Sequence, residues 1–326
     1  MKHISLLLPH GDTSLSNLEA TYKMFTKVNE AAEQVGKPPL FDIHLVGMSK
    51  DPKKALVFTV EPDLSIHEVQ KTDIIIIPAV HGNMQTVVNN NSDFIPWIKE
   101  HYSKGSEVVS LCIGAFILAS TGLLKNKSCT THWLVAEEFK EMYPSVKIQP
   151  YKIITDEDGI YTSGGAYSSL NLILYLVEKY AGREMAILSS KIFEIEINRD
   201  SQSPFIIFSG QKDHEDHQVL KAQDFIEENY TNKITVSQLA KMLNMGRRNL
   251  ERRFKKSTNN TVIEYIQRVK VEAAKRNFET NQKNVSEVMY EVGYSDSKAF
   301  RNVFKKITGL TPTAYKDKYN KEDVMI

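Results

Sequence analysis

Val236–Gly246 reads VSQLAKMLNMG and Val285–Ser295 reads VSEVMYEVGYS, an offset of 49 residues. One residue is then inserted, and the match resumes at an offset of 50: NLERRFKKSTNNTVIEY (Asn249–Tyr265) against AFRNVFKKITGLTPTAY (Ala299–Tyr315). Each copy is a short apolar helix, a turn and a basic helix, which is the pattern of a helix-turn-helix. A supersecondary unit stated twice at a nearly fixed period is a fold-level signal.

Helical spacing assigns the faces. In the first copy Val236, Leu239, Ala240 and Leu243 form the inner face of the supporting helix, and Leu250 and Phe254 bury the second helix at i, i+4. The opposite face of that second helix carries Arg248, Glu251, Arg252 and Lys255, with Arg247 at its start. In the second copy Phe300 and Phe304 take the core role, and Lys298, Arg301, Asn302 and Lys305 face outward, with Ser297 at the start. Arg and Lys pair with guanine edges or phosphates, Asn with adenine and Glu with the cytosine amino group. These ten residues are the candidate DNA contacts, and the two helices present different readout sets. Between the copies, Thr261–Glu279 reads as one helix whose buried stripe is Val262, Tyr265, Ile266, Val269 and Ala273. Arg268, Lys270, Lys275 and Arg276 fall largely off that stripe. Readers entering successive major grooves must sit about 34 Å apart, and a stiff linking helix fixes such a separation.

Charge supports this partition. From Asp216 onward the chain has 21 Lys/Arg and 14 Asp/Glu, a balance of +7; with a net charge of +1, the first 215 residues carry −6. A basic module joined to an acidic one is the pattern when one part meets nucleic acid. The chain opens MKHISLLLPHGD, which turns polar too soon for a signal peptide, and no apolar run approaches the roughly 18 residues of a membrane span. Two cysteines, Cys112 and Cys129, exclude a disulfide scaffold, and a reducing cytoplasm is the expected location.

The elements LAKMLNMGRRNLERRFKK, YIQRVKVEAAKR and VSEVMYEVGYSDSKAFRNVFKKITGLTPTAYK resemble the AraC/XylS family of transcription regulators over roughly a hundred residues. Gly246 stands where the family often has a Ser N-cap. Asn259 and Val262 replace the Gly and Pro found as Gly309 and Pro312 in the second copy. Asn tolerates the left-handed conformation that Gly provides.

The first two hundred residues alternate strand and helix signals. Ile4–Leu8, Asp42–Val46, Asp73–Pro78 and Glu107–Ser110 read as strands; Asn17–Val35, Ser92–Ser103, Gly114–Ala119 and Leu170–Tyr180 read as helices. This predicts a doubly wound, flavodoxin-like α/β domain with a largely parallel sheet, whose ligand site lies beyond the carboxyl ends of the strands. In EVVSLCIGAFILASTGLL a β-branched strand runs into Cys112, and small residues open a helix. Such an elbow lifts a side chain above the sheet, and a helix N-terminus can lower a thiol pKa.

DIIIIPAVHGN, the Cys112 elbow, TGLLKNKSCTTHW and DGIYTSGGAYSSLNLILYLVEKYAG resemble, in content and order, the ThiJ/PfpI superfamily of the class I glutamine amidotransferase-like fold. The resemblance implies that Cys112 is the elbow residue and His132 its imidazole neighbour. It also implies that Glu19 holds a carboxylate over the thiol, and that Gly82 and Ile113 supply N–H groups to an oxyanion-hole-like nest. Ile113 and His81 depart from the catalytic pattern, the first where the protease-like branch has His, the second where relatives have Gly. A pocket for a small molecule, formed by Glu19, His81, Gly82, Cys112, Ile113 and His132, is therefore favoured over a nucleophilic centre. His214 and His217 in DHEDH are i, i+3 in a polar stretch, and no metal, catalytic residue or cofactor is assigned.

The expected organisation is a ThiJ/PfpI-like sensing and dimerisation domain over 1–200, a linker over 201–216, and an all-α DNA-binding domain with two helix-turn-helix units over 217–320. The polar stretch Asn198–Asp216 contains an apolar PFIIF island that can dock on one domain. This combination resembles the GlxA type of AraC regulators. It implies a homodimeric cytoplasmic regulator, expected to activate, with a double-stranded DNA operator, a small effector (often nitrogen-containing in that branch) and RNA polymerase as partners. The alternative is a cysteine-dependent hydrolase or hydratase whose DNA-binding module controls its own operon.

Overall fold

A computed structural model describes residues 1–55, 57–197, 201–212, 214–280 and 283–320. The chain divides into two compact units, Met1–Gln202 and Ser203–Ile326.

The first unit is built on a seven-stranded sheet. In chain order its strands are β1 (Lys2–Leu7), β2 (Phe41–Gly47), β3 (Leu64–Ser65), β4 (Ile74–Ile77), β5 (Glu107–Ser110), β6 (Ile154–Glu157) and β7 (Ile160–Ser163). Their spatial order is β6-β7-β5-β4-β1-β2-β3, and every neighbouring pair is parallel except β6 with β7. The Ile74–Ile77 run is buried throughout, as a parallel strand covered on both faces requires. The helices are α1 (Leu15–Gln34), α2 (Met84–Asn90), α3 (Phe94–Ser103), α4 (Ala115–Ser120), α5 (Ala136–Met142), α6 (Ser169–Ala181) and α7 (Arg183–Ile192). Two apolar layers result: α1 and α6 pack Phe25, Val28 and Leu172 on one side, and α3, α4 and α5 pack Trp97, Phe116 and Phe139 on the other. The chain reverses its winding between β1 and β4, so the carboxyl ends of β1, β4 and β5 frame the expected crevice.

The second unit is helical: α8 (His217–Asn229), α9 (Val236–Met242), α10 (Arg247–Thr258), α11 (Val262–Thr280), α12 (Val285–Glu291), α13 (Ser297–Thr308) and α14 (Pro312–Tyr319). The duplication extends to individual hydrogen bonds. Thr258 donates to the Phe254 carbonyl at 2.8 Å, and Thr308 to that of Phe304 at 2.9 Å. The Tyr265 hydroxyl donates to Glu227 and the Tyr315 hydroxyl to Glu279, each at 2.5 Å. Phe254–Tyr265 and Phe304–Tyr315 meet edge to face at 5.3 and 5.5 Å. Asn259 and Gly309 both close their helices in the left-handed conformation, at φ 55° and 78°.

The stretch read as a connector is structured. Residues 203–212 belong to the second unit; 206 and 208 are held on α11, and Gln211 and Lys212 reach Gln223 and Asp224 of α8. Lys275 Nζ donates to the Ile206 carbonyl (2.6 Å) and to Glu272 (2.8 Å), and Glu272 accepts the Phe208 N–H (3.1 Å). The Phe208 ring meets Tyr265 edge to face at 5.2 Å and lies beneath the Arg268 guanidinium. The PFIIF island therefore docks on the helical unit. Residues 198–200 and 213 of the expected connector lie outside the described residues.

Candidate ligand site and candidate nucleic-acid interface

At the carboxyl end of β5 the backbone turns sharply: Cys112 has φ 54°, a left-handed conformation unusual for a residue with a side chain. Its N–H donates to Ser163 Oγ (3.1 Å), its carbonyl accepts from Thr131 Oγ1 (2.9 Å), and its sulfur accepts the Ala166 N–H (3.4 Å). Ends of β5 and β7 and the loop before α5 thus converge on one residue, which is 4% exposed. Burial pushes the thiol pKa up from its ordinary value, and the N–H groups of Ala166 and Ile113 offset this only in part. This corrects the expectation of a helix-lowered pKa: the following helix has six residues, and the sulfur is out of water. Cys129 is fully buried and its thiol is pushed up to about 12.

His132 caps the turn that precedes α5, its Nδ1 accepting the Leu134 N–H at 3.1 Å. Neutral imidazole carries one proton, so Nε2 bears it and is a donor. Burial, and then the neighbouring His81, lower the His132 pKa and keep the ring neutral. The ring lies flat against Gly165, next to the Ala166 that donates to the thiol. Ile113 is buried beside the sulfur, while His81 and Gly82 are exposed in the segment following β4.

Glu19 is elsewhere. Its carboxylate is exposed and pairs with Lys23 at 2.5 Å. The inward position of α1 belongs to Asn17, whose amide donates to Ser169 Oγ and accepts the Ala79 N–H, both at 3.1 Å. Residues two apart on a helix point about 200° away from each other, so α1 turns Glu19 to solvent when it buries Asn17. Asn17, Thr131, Ser163 and Ala166 were not identified from sequence; the SGGAY motif was the available signal for the last two.

The helical unit presents two exposed basic faces. On α10, Arg247 pairs with Glu251 (3.1 Å), Arg252 donates to Asn249 Oδ1 (3.0 Å), Lys255 reaches the Asn259 carbonyl (2.5 Å), and Arg248 is exposed. On α13, Ser297, Lys298, Arg301, Asn302 and Lys305 are all exposed, and among the described residues none of the three cations has an ion pair. Gly246 supplies no side-chain cap to α10, whereas Asp296 caps α13 through the Ala299 N–H at 2.8 Å. Leu250, Phe254, Phe300 and Phe304 are buried beneath these faces, as their spacing required.

Two lysines of α11 correct the reading of that helix. Lys270 and Lys275, placed off the buried stripe by spacing, are 6% and 4% exposed. Lys270 Nζ donates to the carbonyls of Val292 (2.9 Å), Gly293 (3.1 Å) and Asn232 (3.4 Å). A buried ammonium persists only where such acceptors replace water. Among the described residues no group of three or more His, Cys, Asp or Glu side chains could hold a metal ion. His214 bonds Gln223 at 3.0 Å and accepts the Asp216 N–H.

Residues 7–179 match the DJ-1/PfpI family and residues 239–318 match a helix-turn-helix domain family. The HTH-type transcriptional regulator GbdR of Pseudomonas aeruginosa is 22% identical over 257 residues, 78% of this chain and 68% of the relative. The HTH-type transcriptional regulator GlxA of Rhizobium meliloti is 23% identical over 209 residues, 64% of each chain. A crystal structure of an AraC family transcriptional regulator from Pseudomonas putida superposes with a TM-score of 0.51 at 15% identity, covering 59% of this chain and all of that one. That likeness speaks to the fold.

Proposed function

The chain belongs to the DJ-1/PfpI family, joins that domain to an AraC-type helix-turn-helix domain, and is a DNA-binding transcription regulator; on that premise we propose that its first unit senses a small molecule without turning it over. The observation that carries the DNA-reading half is the duplicated scaffold with differently furnished outer faces. Arg247, Arg248, Glu251, Arg252 and Lys255 address one subsite, and Ser297, Lys298, Arg301, Asn302 and Lys305 the other. For the sensing half, the support lies in the Cys112 site. His132 has its acceptor nitrogen occupied and offers a donor, and the thiol is held protonated by burial. Those are properties of a wall that recognises a ligand, not of a base beside a nucleophile. Leu134 and Tyr167, exposed on the segments that follow His132 and Ala166, add apolar surface there. No helix among the described residues is long and apolar enough to cross a membrane. The proposal places the protein in the cytoplasm as a homodimer that activates with RNA polymerase.

The test selects DNA from a random pool with the full chain and then titrates variants on the selected site. Arg252→Ala should cost about 1–3 kcal/mol, concentrated at one half of the site, and Asn302→Ala should act on the other half. Uniform weakening on all sequences would make these residues phosphate contacts only. For the sensing half, a metabolite that raises the melting temperature of the wild type and not of His132→Ala supports the site. Cys112-dependent consumption of that metabolite would overturn it in favour of an enzyme.

A further inference from the structure

The helical unit has two apolar cores. Phe254 and Tyr265 belong to the first, Phe304 and Tyr315 to the second, and α11 contributes to both. A helix of 19 residues bends according to what packs on it, so the separation of the two readers depends on the contacts of α11 as well as on its length. The chain ahead of α8 supplies some of those contacts.

That chain starts on the second reader. The turn Ser203–Phe205 lies against α13, the Lys318 ammonium sits over the Phe205 ring at 5.3 Å, and the Tyr319 hydroxyl is 3.5 Å from the Pro204 carbonyl. It then crosses α11, where the Ile206 carbonyl accepts from Lys275 and the Phe208 N–H donates to Glu272. It ends on the first reader. The Phe208 ring packs against the first core through Tyr265. Asn260, just past α10, donates to Gln211 Oε1 (3.1 Å), and Gln223 of α8 donates to the Gln211 carbonyl (2.8 Å). Lys212 pairs with Asp224 (2.8 Å) and Glu227 (2.7 Å) of the same helix. The crossing is close: Gly210 has φ 76°, and a methyl group there would lie 2.6 Å from the Tyr265 hydroxyl.

The face of α11 that this segment uses is also informative. Tyr265, Arg268, Glu272 and Lys275 recur at i, i+3, i+7 and i+10, which at about 100° per residue is one stripe. Lys270 lies about 180° from the middle of that stripe. Its ammonium ties Asn232 to Val292 and Gly293 across one side of α11. Residues 204–212 tie the two readers across the opposite side.

We propose that residues 204–212 are a brace of the DNA-reading unit, and that Phe208 is a positioning residue for the paired readout. From outside both recognition helices, the brace holds them at the separation their half-sites demand. The inference rests on the two-subsite reading proposed above and adds a determinant that lies outside both helix-turn-helix repeats.

The experiment uses the full chain on the selected DNA site and on two versions of it, each with one half scrambled. The ratio of the Kd on a single-half site to that on the complete site measures what the second reader gains from being held in place, because a tethered contact is strengthened by its effective concentration. Inserting Gly-Gly between Ile206 and Ile207 keeps every anchor and adds about 7 Å of slack. This variant should lose at least fivefold in that ratio, while its Kd on each single-half site stays within twofold of wild type. Phe208→Ala should lower the ratio in the same direction. Where Phe208→Ala also weakens binding to the first reader's half-site alone, the insertion decides, since it removes no side chain. A ratio within twofold of wild type in the insertion variant would overturn the brace. So would equal losses on single-half and complete sites, which would make the segment a support of one reader's fold. A wild-type ratio of one would remove the two-subsite reading and the brace with it. A wild-type ratio well above one that the insertion leaves unchanged would remove the brace alone.

Discussion

The His132 ring lies so close to Gly165 that a methyl group added there would sit 2.1 Å from Cδ2 and 2.7 Å from Nε2. The glycine is required by space, since three ring atoms occupy the volume of any side chain. Gly165→Ala should therefore displace the ring, break its bond to the Leu134 N–H and pull the Ala166 N–H off the Cys112 sulfur. Overpacking of this kind costs about 1–3 kcal/mol. Calorimetry should show a lower melting temperature, accompanied by faster thiol labelling at Cys112. An unchanged labelling rate would mean that the ring does not hold the site together.

Cys112 itself should behave as a buried thiol. Because burial raises its pKa, the rate of alkylation by iodoacetamide should keep climbing beyond pH 9. A plateau near neutrality is the signature of an activated nucleophile, and observing one would contradict the wall-like role given to this residue.

Phe254→Ala and Phe304→Ala should each destabilise their own half of the helical unit by about 3–5 kcal/mol, the usual cost of emptying an aromatic core position. Each ring is fully buried and stacked edge to face on the tyrosine of its own repeat. Hydrogen exchange should therefore report Phe254→Ala mainly in α9 and α10, and Phe304→Ala mainly in α12 and α13. Equal loosening of both halves by either substitution would show that the repeats do not have separate cores.

Asp216 provides a pH test. It caps α8 through the Val219 N–H (3.2 Å) and receives two hydrogen bonds from Arg253 at 2.6 and 2.8 Å, which hold its carboxyl below the usual carboxylate range. A depressed folded-state pKa contributes stability above the unfolded value of about 3.9 and loses it as pH falls through the folded value. The melting temperature of Asp216→Asn should thus lie below wild type at pH 7, and the gap should close below about pH 4. A gap that stays constant with pH would assign the effect to helix capping alone.

The parts of this molecule legible in its sequence are those governed by periodicity. The β5 strand begins and ends at Glu107 and Ser110 as its β-branched run indicated, and the aromatic positions fifty residues apart are buried as a pair. What spacing misassigned were polar groups that the fold buries with partners. Lys270 and Lys275 sit on a helical net where charge normally means solvent, and only tertiary carbonyls from distant segments reverse that rule. Glu19 and Asn17 are two residues apart on one helix, and hydropathy alone cannot say which faces the interior. Gln202 carries no local signal, because the four partners of its side-chain amide are Thr130, Thr131, Lys152 and Gly165, all distant in sequence.

Lys270 joins elements that belong to different readers: the Asn232 carbonyl lies just before α9, and those of Val292 and Gly293 form the turn between α12 and α13. Gly293 is held to glycine by the same contact, since an added methyl group would lie 2.0 Å from the Thr231 carbonyl oxygen and 2.6 Å from the ammonium. Lys270→Met relieves the desolvation that lowers the lysine pKa, but takes this donor from the carbonyls of Asn232, Val292 and Gly293, and a buried acceptor left unpaired costs about 1–3 kcal/mol. The orphaned carbonyls dominate, so the variant should melt lower. Its larger consequence should be geometric. With the readers no longer bolted together, single base-pair insertions between the two halves of a selected site should weaken binding of Lys270→Met less than they weaken wild type. Equal insertion penalties in the two proteins would mean that α11 alone, without this ammonium, sets the distance between the readers.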